Sequence, residues 1–155
     1  MKHLKIKATK ALEAYNEASE ENKQMLVTLL GEENFITDIK QRVTGYSSAC
    51  KVLKRKECTL DHFAFLGASQ AKRQFARHKI ATVIEAINNG WLPDWDNDNQ
   101  YKYYNYFYNK KNGFSSDVVA YCSYCFVGSD LLLENRENAE YVAKICKEDF
   151  IIYLF

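Results

Sequence analysis

The hydrophobic period of this chain changes once, and the change falls on its only proline. Up to Asn88 the apolar residues recur every three or four positions, the spacing of a helix face packed on a core. "INNGW" supplies a helix stop, and Pro93 follows it. Beyond Pro93, "YKYYNYFY" and "DVVAYCSYCFV" are rich in aromatic and β-branched residues, which suit strands. A chain with one such switch reads as α+β: a helical half at 1–90 and a β-rich half at 91–155.

The helical half divides at its caps and glycines. Leu4, Ala8, Ala11, Leu12 and Tyr15 form one stripe. Ser19 is the N-cap of a second helix through Met25, Leu26 and Leu29 that stops at Gly31. A third spans Phe35 to Val43, Ser47 caps a short fourth, and Thr59 starts a further turn. The longest begins near Ser69, with Ala71, Phe75, His78, Val83, Ile84 and Ile87 along its apolar side. In the second half, "NKKNG" is a hairpin loop in which Asn112-Gly113 accepts positive φ. "VGSD" then leads into a third strand, Leu131 to Leu133. Asn135 caps a final helix with Ala139, Val142, Ala143, Cys146 and Phe150 on its apolar face, and "FIIYLF" docks on the sheet. The expectation is one domain, 1–155, with a three-stranded antiparallel sheet and a C-terminal helix.

Composition restricts the function classes. With 155 residues the chain is long enough for a core without covalent staples. No apolar run reaches the roughly 18 residues of a membrane span, and no secretory leader pattern follows the basic start "MKHLKIKATK". Five irregularly spaced cysteines read as free thiols, which suits a cytoplasmic protein. Walker, dinucleotide, His-Glu-x-x-His and Gly-x-Ser-x-Gly patterns are absent, so the chain reads as non-enzymatic.

Charge and aromatic content point to binding. Net charge is only +1, yet residues 1–90 hold fifteen Lys/Arg against ten Asp/Glu, and residues 91–155 hold six against ten. Lys54, Arg55, Lys56, Lys72, Arg73 and Arg77 are candidates for a basic helical face that meets phosphates of a nucleic acid or nucleotide. Alternation along the first strand puts Tyr101, Tyr103, Asn105 and Phe107 on one face. Lys102, Tyr104, Tyr106 and Tyr108 take the other. Tyr104, Tyr106 and Tyr108, with Lys110 and Lys111 at the hairpin tip, are candidates for contact with a partner protein.

Three further patterns carry weaker chemistry. Cys122 and Cys125 with Cys58 and His62 make a zinc set on paper. The first two, however, fall inside an expected strand, where residues three apart face opposite sides, so no metal or cofactor is expected. A zinc protein or enzyme built on these four remains a weaker alternative. Asp94, Asp96 and Asp98 alternate with Asn but lack the glycine and glutamate of a calcium loop, and read as turn formers. Trp91, Pro93, Asp94 and Trp95 read as a structural knot where the period changes.

"ARHKIATVIEAINNGWLPDWDNDNQYKYYNYF", then "GF", then "VGSDLLLENRENAEYVAKICKEDFIIYLF" carry a resemblance. Residues 75–155 resemble a group of uncharacterised proteins from phages, prophages and conjugative elements of gut Bacteroidetes. The shared pattern is Trp-x-Pro-Asp-Trp, Lys-Tyr-Tyr, a Val-Gly-Ser turn and Ala-Glu-Tyr near a helix start. The resemblance implies a mobile-element origin and a common fold, which would make a protein partner a host or phage protein, and it brings no established activity.

Overall fold

The structure is a computed structural model that describes residues 8–155 except Glu33, Asn34, Thr37, Lys111 and Asn112. The chain forms two compact units, Met1–Arg42 and Val43–Phe155. The change of period at Pro93 therefore lies inside the second unit, where helices and sheet share one core.

The first unit holds α1 (Ala8–Glu17), α2 (Glu20–Leu30) and α3 (Ile39–Arg42). Gly31 ends α2 at φ 86°, a conformation that costs glycine nothing, and its N–H donates to the Val27 carbonyl. Ser19 stands at the N-cap of α2, but its hydroxyl makes no capping bond. Phe35 is buried and stacks on Tyr15 at 4.4 Å between ring centres. The helix expected from Phe35 to Val43 is shorter, Ile39–Arg42, because the Asp38 carboxylate accepts the Lys40 N–H at 2.9 Å and starts it there.

The second unit opens with α4 (Tyr46–Val52). Ser48, not Ser47, organises its start: the Ser48 hydroxyl accepts from the N–H groups of Thr44 (2.9 Å) and Gly45 (3.1 Å). A 3-10 segment, Leu60–Leu66, follows behind Thr59. Then α5 (Ala68–Asn88) runs through the middle of the core, burying Ala71, Ala76, Ile80, Val83, Ile84 and Ile87. Asn89 at φ 46° and Gly90 at φ 93° end it, as the Asn-Asn-Gly signal requires.

The sheet has two strands, β1 (Lys102–Lys110) and β2 (Gly113–Tyr121), antiparallel in continuous register from Lys102↔Tyr121 to Lys110↔Gly113. The Asn112 part of the hairpin expectation lies outside the described residues. The expected third strand at Leu131–Leu133 is a correction: Ser129–Leu131 is a 3-10 turn, and only Tyr103↔Leu133 bridges to the sheet. Two physical reasons account for it. Leu131, Leu132 and Leu133 are all buried, whereas a strand on a sheet face would alternate. Their backbone is also held by helix α5, since the Asn88 amide donates to the Leu132 carbonyl at 2.8 Å and accepts the Glu134 N–H at 3.3 Å.

Asn135 caps α6 (Arg136–Ile145) through its side chain, which accepts the Asn138 N–H at 2.8 Å. The expected single final helix breaks at Cys146 into α6 and α7 (Lys147–Leu154). Phe150 on α7 is buried against Phe107 of β1, 4.2 Å between ring centres, so the apolar tail does dock on the sheet. Among the described residues, no helix is long and apolar enough to cross a membrane.

Candidate contact surfaces

The six basic candidates divide between the segment after α4 and helix α5, and three of them are held by contacts within the chain. Arg55 forms a two-pronged ion pair with Glu85 (2.6 Å from Nη1 to Oε2), and Arg77 pairs with Asp130 at 2.9 Å. The Arg73 guanidinium donates to the Phe155 carbonyl at 3.3 Å, and neighbouring Lys79 pairs with Asp149. The hydrogen bond from Arg55 to Glu85 pushes its pKa further up. Lys54, Lys56 and Lys72 are exposed, but Lys54 sits at φ 54° in the turn after α4 while Lys72 lies on α5 beside Leu60 and Ile152. Intramolecular acids thus pair with two of the three arginines, Arg55 and Arg77.

The tryptophan knot walls a cleft of about 580 Å³ against α5, with His78, Glu85, Trp91, Pro93, Trp95 and Asp130 among its lining. His78 is flanked by the Tyr46 and Phe63 rings. Burial first, then the nearby Arg55 charge, lowers its pKa and holds the imidazole neutral. Trp95 receives the Lys102 ammonium 5.0 Å from its ring centre, so this part of the knot is tied to the sheet. The Asp/Asn run is turn chemistry: the Asp94 carboxylate accepts the Asp96 N–H at 3.0 Å, and the Asn97 side chain accepts the Asn99 N–H at 2.9 Å.

Cys122 and Cys125 do not sit inside a strand. β2 ends at Tyr121, and the two cysteines lie in the loop that follows. The Lys102 ammonium draws the Cys122 carbonyl to 2.8 Å, and the Cys125 thiol donates to the Val127 carbonyl at 2.8 Å. His62 is occupied elsewhere, its Nδ1 accepting the Thr59 N–H at 3.1 Å, while the Cys58 N–H donates to the Tyr46 phenol at 2.7 Å. All five cysteines are free, and no group of three or more metal-ligating side chains occurs among the described residues.

The Tyr-rich face of β1 divides in the middle. Lys102 is 1% exposed and Tyr104 is 4% exposed, so Tyr104 is a core residue and not a contact residue. Its neighbour is Tyr121 at the end of β2, stacked 6.4 Å away, and Tyr124 from the loop after β2 packs 4.3 Å from Tyr121. Burial raises the Tyr104 phenol pKa. Tyr106, by contrast, is 55% exposed. Tyr108 is half-buried and accepts a hydrogen bond from the Ser115 hydroxyl at 3.3 Å. Lys110 ends β1, and Lys111 lies outside the described residues.

Two rings that sequence reasoning passed over complete this surface. Tyr124 is exposed, and Phe126 is 76% exposed and edge-on to Tyr124 at 5.7 Å. The available signal was the aromatic spacing of "YCSYCF", which continues past the point where the strand stops. Between Tyr106 and Phe126 lies a hollow of about 390 Å³ whose floor and walls include Tyr104, Phe107, Leu131, Phe150 and Leu154. Its lining carries no acidic or basic side chain.

No protein-family model, curated protein or solved structure matches the chain.

Proposed function

We propose that this chain is a small, non-catalytic, cytoplasmic binding protein of a phage or mobile element, and that it grips a partner protein by its aromatic surface. The supporting observation is an uncharged hollow lined by the exposed rings of Tyr106 and Phe126, with exposed Tyr124 edge-on to Phe126. Exposed aromatic side chains beside a pocket that takes an apolar anchor are the usual centre of a protein interface. Nucleic acid fits this surface less well, because phosphates need cations and the hollow is lined by none.

The experiment is affinity purification from element-bearing cells with wild type, Tyr106→Ala and Phe126→Ala. The expected result is a protein partner retained at high salt by the wild type and lost by both variants. Retention by both variants removes the reading. A second reading, nucleotide binding, is favoured by the tryptophan cleft, where Arg55 lies beside two indoles. It requires titratable quenching of tryptophan fluorescence by mononucleotides, and absence of quenching removes it.

A further inference from the structure

The sheet is unfinished on one side. Tyr103 donates to the Leu133 carbonyl (3.0 Å) and accepts the Leu133 N–H (2.7 Å), so its backbone polar groups point away from β2. The register is continuous, and strand geometry then turns the N–H and C=O groups of Asn105 and Phe107 outward as well. The opposite edge supports this reading. Val118, directly across from Asn105, also points its polar groups outward, where the Asp117 carboxylate accepts its N–H (2.7 Å) and Arg136 donates to its carbonyl (3.2 Å). The β2 edge is therefore satisfied at Val118. The β1 edge at Asn105 and Phe107 has no recorded partner among the described residues.

A second observation falls on the same spot. Both polar atoms of the Asn105 side chain are buried and lack a hydrogen-bond partner among the described residues. A buried, unsatisfied amide is costly, and native proteins keep few of them. Asn105 and Phe107 line the uncharged hollow, together with the turn at Val127 and Gly128 and with Phe150 and Tyr153 of α7.

We propose that β1 accepts a third strand from its partner: an extended, uncharged segment that pairs with Asn105 and Phe107 and places an apolar side chain in the hollow. This rests on the aromatic-surface reading and specifies its occupant. Added strands take affinity from main-chain hydrogen bonds and selectivity from pockets that receive alternate side chains. An open edge offers the first, and the hollow offers the second. The absence of charged lining selects an uncharged segment, since a Lys or Asp placed there would be desolvated without a counter-ion. Seating the segment moves the side chains that now seal Asn105, so that its amide meets the incoming main chain.

The test uses the full chain and a displayed library of random eight-residue segments. Selected segments are expected to slow amide exchange at Asn105 and Phe107, leaving Tyr104 and Tyr106, which already face β2, little changed. Asn105→Pro removes one outward N–H without touching the β1–β2 ladder, and it should weaken binding about tenfold. N-methylating the selected peptide at its pairing amides should do the same on the wild-type protein, which keeps the test valid if the proline variant fails to fold. Three results overturn the proposal: no selected binder, binding indifferent to both the proline and the N-methyl groups, or protection at Asn105 and Phe107 that rises with protein concentration alone and so reports a second copy of this chain. If the proline and N-methyl changes have no effect while Phe126→Ala abolishes binding, strand addition falls and the aromatic surface stands. If Tyr106→Ala and Phe126→Ala are both harmless, the surface reading itself falls.

Discussion

The start and the middle of β1 carry nearly the same residues and have opposite fates. At the start of the strand, Lys102 and Tyr104 are buried; two residues further on the same face, Tyr106 is open to solvent. Neither side-chain type accounts for the difference, since lysine is rarely buried and Tyr104 and Tyr106 are the same residue. What differs is the cover. The last residue of β2 brings the Tyr121 ring to Tyr104, the loop after it brings the Cys122 carbonyl to the Lys102 ammonium, and the Trp95 ring lies 5.0 Å from that ammonium. Lysine tolerates this site because its ammonium donates to the Gln100 and Cys122 carbonyls at 3.0 and 2.8 Å and faces an indole ring. One half of the face is thereby a structural element, and in the other half Tyr106 stands open to solvent.

This contrast can be broken by substitution, beginning where the effect is largest. Tyr104→Ala empties a buried aromatic site and should destabilise the protein by about 3–5 kcal/mol in urea unfolding. Lys102→Ala leaves two carbonyls without their donor and uncovers Trp95. A loss of about 2–4 kcal/mol is expected, with a red shift of tryptophan emission as the direct readout. Tyr106→Ala, on the same face, should change stability by no more than about 0.5 kcal/mol while lowering partner retention. A Tyr106→Ala variant as unstable as Tyr104→Ala would show that the strand is buried along its whole length.

Acidification tests the interior on the α5 side and has a smaller effect. His78 has a folded-state pKa below its ordinary value of 6.5, so the unfolded chain binds its proton first. The stability linked to the neutral imidazole is complete above pH 6.5 and is lost as the pH falls through the folded value. Thermal melts of wild type should therefore decline with acidification from about pH 6.5, and His78→Phe should remove that part of the decline. An unchanged pH profile in the variant assigns the acid sensitivity to other groups.

Local chemistry was the legible part of this chain. Gly31, Asn89-Gly90 and Asn135 mark helix ends because each acts through its own backbone or one hydrogen bond within a few residues. The same holds for Asp94 and Asn97 in their turns. The errors lie where a distant segment decides. "LLL" reads as a strand until Asn88, more than forty residues earlier, takes its carbonyl. Cys122 and Cys125 read as strand residues, yet β2 ends at Tyr121 and the Cys122 carbonyl accepts from the Lys102 ammonium, twenty residues earlier. That Arg55 and Arg77 of the basic run carry acidic partners is likewise hidden, because Glu85 and Asp130 are remote in sequence.

The sequence by itself determined the α+β class, the position of the switch at Pro93, the helix stops and the hairpin, since periodicity and capping act over three or four residues. Only the tertiary structure decided how many strands the sheet has, which arginines are already paired and which half of the tyrosine face is covered. Those outcomes depend on which segments meet across long stretches of chain, which periodicity and capping do not report.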